Sequence, residues 1–124
     1  MPPALLFRSE SKRVEEISLE GMPVGAMANF PYRYSTLEMG DEDALLLMSD
    51  GFPEWTNPGG VQLGYSQATE AFAAVASRSC DEIIAHLVSS GEVWAGTNLP
   101  DDDVTFIVLK KTPRAQPSGS KRAG

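Results

Sequence analysis

Two stretches of the chain are apolar almost without interruption: ALLLMS over residues 44–49 and VTFIVLK over residues 104–110. Both are too short for a buried helix and show no 3.6-residue period. Unbroken runs of this length are the pattern of strands covered on both faces. Each has acids at one end. Asp50 follows the first run directly, and Asp102 lies two residues before the second. If the two runs are antiparallel neighbours, those ends share one edge of the sheet. Neighbouring strands lie about 4.8 Å apart, so the carboxylates of Asp50 and Asp102 are expected within about 8 Å of each other.

Carboxylates gathered at the rim of a core suit hard divalent cations such as Mg²⁺ and Mn²⁺, which prefer carboxylate and water oxygens. Gly51, next to Asp50, would let the backbone turn sharply and leave room for a hydrated ion. Glu54 reads as a residue that ties down its own loop rather than a ligand. Each acid also has a plain reading. Asp-Gly is a common turn dipeptide, and a run such as Asp101-Asp102-Asp103 is ordinarily solvated. What carries information is the order: apolar strand, Asp-Gly, loop, two helices, Asp-Asp, apolar strand.

The remaining pattern gives strands over 4–8, 14–19 and 32–39. A helix over 65–77 places Tyr65, Ala68, Phe72, Val75 and Ala76 on one side. A second helix opens on Ser79-Cys80-Asp81-Glu82, a capping box, and carries an apolar stripe of Ile83, Ile84, Leu87, Val88 and Trp94. Residues 1–111 form one domain on this reading, and the polar, Pro- and Gly-containing tail 112–124 is expected to be disordered. At 124 residues, 42% hydrophobic and 22% charged, the chain can bury a core.

Charge and cysteine content exclude several functions. The formal net charge is −7, and the tail holds Arg114, Lys121 and Arg122 but no acid, so the body is more acidic still. Nucleic acids and anionic membranes are not expected partners, because binding them requires neutralising phosphates with Lys and Arg. No apolar run approaches the roughly 20 residues that span a bilayer. The opening MPPALLFRSE is too short and too quickly charged for a signal peptide, so a cytoplasmic location is expected. Cys80 is the one cysteine and His86 the one histidine. A spacing of six sets them about 240° apart on a helix, which disfavours a Cys–His dyad, and two such residues cannot build a usual zinc site.

The order of motifs resembles the C-terminal half of the PP2C-type, metal-dependent serine/threonine phosphatases, nearest to the bacterial branch of the sporulation phosphatase SpoIIE. LLLMSDGFPEWTNPGG resembles its apolar strand, (T/S)-D-G-x-x-E and N-x-x-G loop. LGYSQATEAF resembles the start of the following helix, and LPDDDVTFIVLKK its D-D-D-x-T strand. ALLFRS and GMPVGAM fit earlier segments. The resemblance implies an α+β fold, a largely antiparallel β-sandwich flanked by helices. It implies Asp50 and Asp102 as ligands of Mn²⁺ or Mg²⁺, Gly51 beside the site, and Asp103 behind the ligands. It implies hydrolysis of phosphoserine or phosphothreonine on a protein, a small anti-sigma-factor antagonist being the expected substrate. Pro53 and Trp55 depart from the small or polar residues common there, which suggests a loop shaped for another partner. The N-terminal Asp-Gly and Gly-His-Gly ligand motifs of the family have no counterpart in the chain. A truncated domain that binds metal weakly and catalyses poorly is therefore expected.

Two other readings stay open. One is a non-catalytic module of that fold which binds a partner, or dimerises, through an exposed apolar sheet face. The other is a structural domain in which the acids are turn residues.

Overall fold

The computed structural model describes residues 2–17 and 38–112. The strand expected over 32–39, apart from its last two residues, lies outside the described residues. So do the GMPVGAM loop and the tail from residue 113 on.

Four strands form one antiparallel sheet in the order β2-β1-β3-β4: β1 (Ala4–Arg8), β2 (Arg13–Ile17), β3 (Ala44–Met48) and β4 (Phe106–Lys110). β3 and β4 are antiparallel neighbours, with Leu46 opposite Val108 and Met48 opposite Phe106, as the two apolar runs predict. β4 begins two residues later than expected. Helices α1 (Gly64–Val75) and α2 (Cys80–Ala95) connect β3 to β4.

Alternation along the strands sorts side chains between two faces. Leu5, Phe7, Ala44, Leu46 and Met48 point to the helical side and form one core with Phe72, Val75, Ile83 and Leu87. The Ser79–Glu82 capping box is present and starts α2, and Gly96, at φ +63°, ends it. Both helical stripes are narrower than the sequence implies. Tyr65 is 46% exposed and Val88 38% exposed, whereas Ala68, Phe72, Ile83 and Leu87 are fully buried. Tyr65 sits on the first turn of α1.

The other face of the sheet departs from expectation. β3 alternates between buried and half-buried residues, and β4 between half-buried and exposed ones. Ile107 and Leu109 are 50% and 53% exposed. Both belong to the strand at the edge of the sheet, on the face away from the helices. The lack of alternation in the sequence reflects apolar residues on both faces; the outer face is covered at Ala4 and Leu6 of β1 and open at Ile107 and Leu109 of β4.

Asp43 anchors the sheet end opposite Asp50. This carboxylate is buried, and it accepts from the Ser9 amide (2.8 Å), the Gly40 amide (2.9 Å) and the Arg8 guanidinium (3.1 Å). Burial alone would raise its pKa. The two amides and Arg8 outweigh that and hold it below the ordinary carboxylate value. Its stabilisation is therefore full above the unfolded-state value of about 4 and is lost as pH falls through the lower folded-state value. Chemical denaturation across pH 2–7 should show stability falling at the acid end. An Asp43→Asn variant should be less stable at pH 7, with a flatter acid limb.

α2 carries one glycine in its interior, Gly91, and it is there for space. A Cβ at Gly91 would stand 2.6 Å from Cζ3 of Trp55 and 3.2 Å from Cε1 of Phe52. Gly→Ala in a helix ordinarily stabilises by about 1 kcal/mol. Here overpacking should reverse the sign, and denaturant melts of Gly91→Ala should show a net loss of roughly 1–2 kcal/mol.

Candidate metal centre

The loop after β3 is built inward. Phe52 is fully buried and meets Phe106 of β4 edge to face, with ring centroids 4.8 Å apart. Trp55 is 9% exposed and lies on α2 at Gly91. Its Nε1 donates to the Asn98 carbonyl (3.1 Å), and Asn98 Nδ2 donates back to the Thr56 carbonyl (3.1 Å). Pro53 is buried as well. The two residues that departed from the family pattern thus serve internal packing, where the sequence suggested another partner. A short hairpin follows, with the Asn57 amide donating to the Val61 carbonyl (2.9 Å) and Gly60 at φ +82°. Trp94 Nε1 on α2 caps it by donating to the same carbonyl (3.0 Å).

With the loop pinned at 52–62, Asp50 and Gly51 are held at the edge of the sheet against residues 102–105. A Cβ on Gly51 would collide with the Asp103 carbonyl oxygen and stand 2.8 Å from that of Asp102. Gly51 is required for this close approach. It does not have a positive φ, and Asp103 backbone fills the space that the sequence reading reserved for a hydrated ion.

Ser49 completes the junction. Its amide donates to the Thr105 carbonyl (3.0 Å), its hydroxyl donates to the Asp103 carbonyl (2.8 Å), and its Oγ accepts from the Thr105 amide (2.9 Å). β4 starts late because a side chain replaces ladder bonds at 103–105. In the sequence Ser49 stands only as the first residue of the (T/S)-D-G motif, with no role of its own.

The structure therefore brings the segments bearing Asp50 and Asp102 together across some fifty residues of sequence. Asp102 Oδ1 accepts from the Asp103 amide (2.9 Å). Asp101, Asp102, Asp103 and Glu54 are exposed, and Asp50 is half-buried. The Glu54 backbone amide donates to the Asp50 carbonyl (3.1 Å), a bond that involves the main chain and not the carboxylate. Tyr65 belongs to this edge too. Partial burial, and then the negative charges of Asp50 and Glu54, push its phenol above its ordinary pKa. Helical spacing hid it among core residues.

Among the described residues no three His, Cys, Asp or Glu side chains form a group that could hold a metal ion. The donor set at this edge is two hard-oxygen aspartates. That fits Mg²⁺ or Mn²⁺, since Mg²⁺ is commonly held by one or two carboxylates with water completing its shell. Cys80 and His86 lie elsewhere. The thiol faces the Val108 carbonyl at 3.9 Å, and His86 Nε2 is 3.4 Å from Ser90 Oγ. No described helix is long and apolar enough to cross a membrane.

Gly51→Ala should force the two segments apart. A loss of about 2 kcal/mol or more is expected, with hydrogen-exchange protection lost first at the Ser49 and Thr105 amides.

A profile of the family described as Stage II sporulation protein E (SpoIIE) matches residues 1–112. Among solved structures, the chain is similar to the SiaA-PP2C domain of Pseudomonas aeruginosa, with a TM-score of 0.68 and 17% identity, covering 87% of this chain and 43% of that one. It is also similar to the phosphatase domain of the cell fate determinant SpoIIE from Bacillus subtilis, with a TM-score of 0.66 and 16% identity, covering 93% and 50%. A manganese-presoaked form of that domain gives 0.65 and 19%, covering 92% and 48%. No curated protein sequence matches the chain. The chain thus spans about half the length of the solved domains it resembles. The shared architecture is α+β, with an antiparallel sheet and helices on one face.

Proposed function

Because the chain belongs to the SpoIIE family of PP2C-type phosphatase domains, we propose that its acidic edge is the Asp50/Asp102 portion of a metal-dependent phosphatase site. The carrying observation is the packing of Gly51 onto the Asp102–Asp103 backbone. It holds two aspartate-bearing segments at one edge, as a shared divalent ion requires.

Asp50 and Asp102 would hold Mn²⁺ or Mg²⁺, with Gly51 keeping their segments in contact. Glu54 and Asp103 shape the loop and the strand entry. The negative charges borne along this edge by Asp50, Glu54, Asp101, Asp102 and Asp103 repel a phosphate monoester, so a cation is needed before such a substrate can approach. When bound, the metal pair of such sites lowers the pKa of a water and clamps the phosphoryl group. The substrate class is phosphoserine or phosphothreonine on a signalling protein, of the anti-sigma-factor-antagonist kind.

Thermal melts with Mn²⁺ and hydrolysis of a phosphoserine peptide test this reading together. Mn²⁺ at tenfold over its Kd adds about 1.4 kcal/mol, a rise of several degrees in Tm for a domain of this size. Asp50→Asn should abolish the rise and reduce any Mn²⁺-dependent hydrolysis at least tenfold. No rise at millimolar Mn²⁺, or an equal rise in Asp50→Asn, would overturn the assignment.

The exposure of Ile107 and Leu109 favours a second role beside the first, association through the outer sheet face. Sedimentation should then show self-association or partner binding that Leu109→Lys weakens, with the Mn²⁺ response unchanged.

A further inference from the structure

We propose that Ser49 is a positioning residue for the candidate metal centre. Its hydroxyl sets the distance between the Asp50 and Asp102 segments. The inference rests on the metal reading above and adds to it a residue that touches neither the ion nor the substrate.

The geometry is specific. A serine hydroxyl has one proton to donate and lone pairs to accept with. Ser49 donates its proton to the Asp103 carbonyl (2.8 Å) and accepts from the Thr105 amide (2.9 Å). Together with the bond from its own amide to the Thr105 carbonyl, one residue makes three bonds to the segment that follows Asp102. The regular ladder has ended by then, since Met48 opposite Phe106 is its last pair. From there to Asp102 the strand's path depends on the Ser49 side chain on one side and on contact with Gly51 on the other. Gly51 limits how close the segments can come, and Ser49 limits how far they can part. Asp50 is the next residue after Ser49, so the same hydroxyl fixes Asp102 relative to Asp50 through very few rotatable bonds.

The site also has room for a control. A cavity of about 140 Å³ lined by Leu47, Met48, Ser49, Thr105 and Ile107 adjoins the serine. It leaves space beside Ser49 for the extra methyl of threonine, whose hydroxyl can donate and accept as serine's does. Valine matches threonine in volume and lacks the hydroxyl, so Ser49→Thr and Ser49→Val differ in the hydroxyl and its two hydrogen bonds.

The test is a Mn²⁺ titration of the ¹⁵N-labelled chain at a temperature where every variant is folded, following paramagnetic broadening of the Gly51 and Asp103 amides. In the unmodified chain both should broaden with one midpoint. Loss of a group that orients metal ligands ordinarily weakens metal binding tenfold to a hundredfold. Ser49→Ala and Ser49→Val should therefore raise the midpoint about tenfold or more, and Asp103 should broaden later than Gly51. Ser49→Thr should stay within about twofold of the unmodified chain, with the Thr105 amide still protected from exchange. A purely stabilising serine would lower Tm in Ser49→Ala and Ser49→Val yet leave the midpoint in place, and that result overturns the proposal. Should Ser49→Ala fail to fold, Ser49→Val against Ser49→Thr decides alone. Asp50→Asn separates the two levels. Broadening that survives Asp50→Asn, or is absent from the unmodified chain, overturns the metal reading and this proposal with it. Broadening that needs Asp50 but ignores the Ser49 hydroxyl overturns this proposal only.

Discussion

The acidic edge depends on one contact, the packing of the Gly51 Cα onto the backbone of Asp102 and Asp103. Any other residue at position 51 would place a carbon where the Asp103 carbonyl lies. The ladder between β3 and β4 brings the two segments to the same edge, but it stops short of them. Beyond it, backbone contact at Gly51 and the three bonds of Ser49 replace regular pairing.

That contact holds because the loop between Asp50 and α1 is itself part of the core. Phe52 and Trp55 turn inward, and Trp55 fits against α2 where Gly91 lacks a side chain. The Trp55–Asn98–Thr56 bonds then tie the loop to the segment leading from α2 to Asp102. Both approaches to the acidic edge are therefore fastened to one helix. The two ends of β3 contrast in chemistry. Asp43 is buried among two amides and a guanidinium, a closed arrangement that serves stability. Asp101, Asp102 and Asp103 are exposed at the other end, where carboxylates remain accessible to a cation from solvent.

The sheet is used asymmetrically. Its helical face holds the core, and its other face leaves Ile107 and Leu109 half-exposed on the edge strand. The solved PP2C domains that share this architecture are about twice as long as the chain. The acidic edge and the half-exposed apolar residues of β4 are thus distinct surfaces.

The local pattern of residues was enough to determine a good deal. Apolar runs and turn dipeptides marked β1, β3, β4 and both helices, and the capping box at Ser79 placed the start of α2, because these signals act within a few residues of sequence. The antiparallel pairing of β3 and β4, and hence the meeting of the segments that bear Asp50 and Asp102, was legible from the order of acids and apolar runs. Tertiary structure decided the rest. The need for glycine at 51 and 91, the inward turn of Trp55, the bonds of Ser49, the burial of Asp43 and the place of Tyr65 beside Asp50 and Glu54 are all contacts between residues far apart in the chain. Such contacts leave no periodicity and no local preference to read. They follow from volume and from hydrogen-bond geometry, and these exist only once distant segments have been packed together.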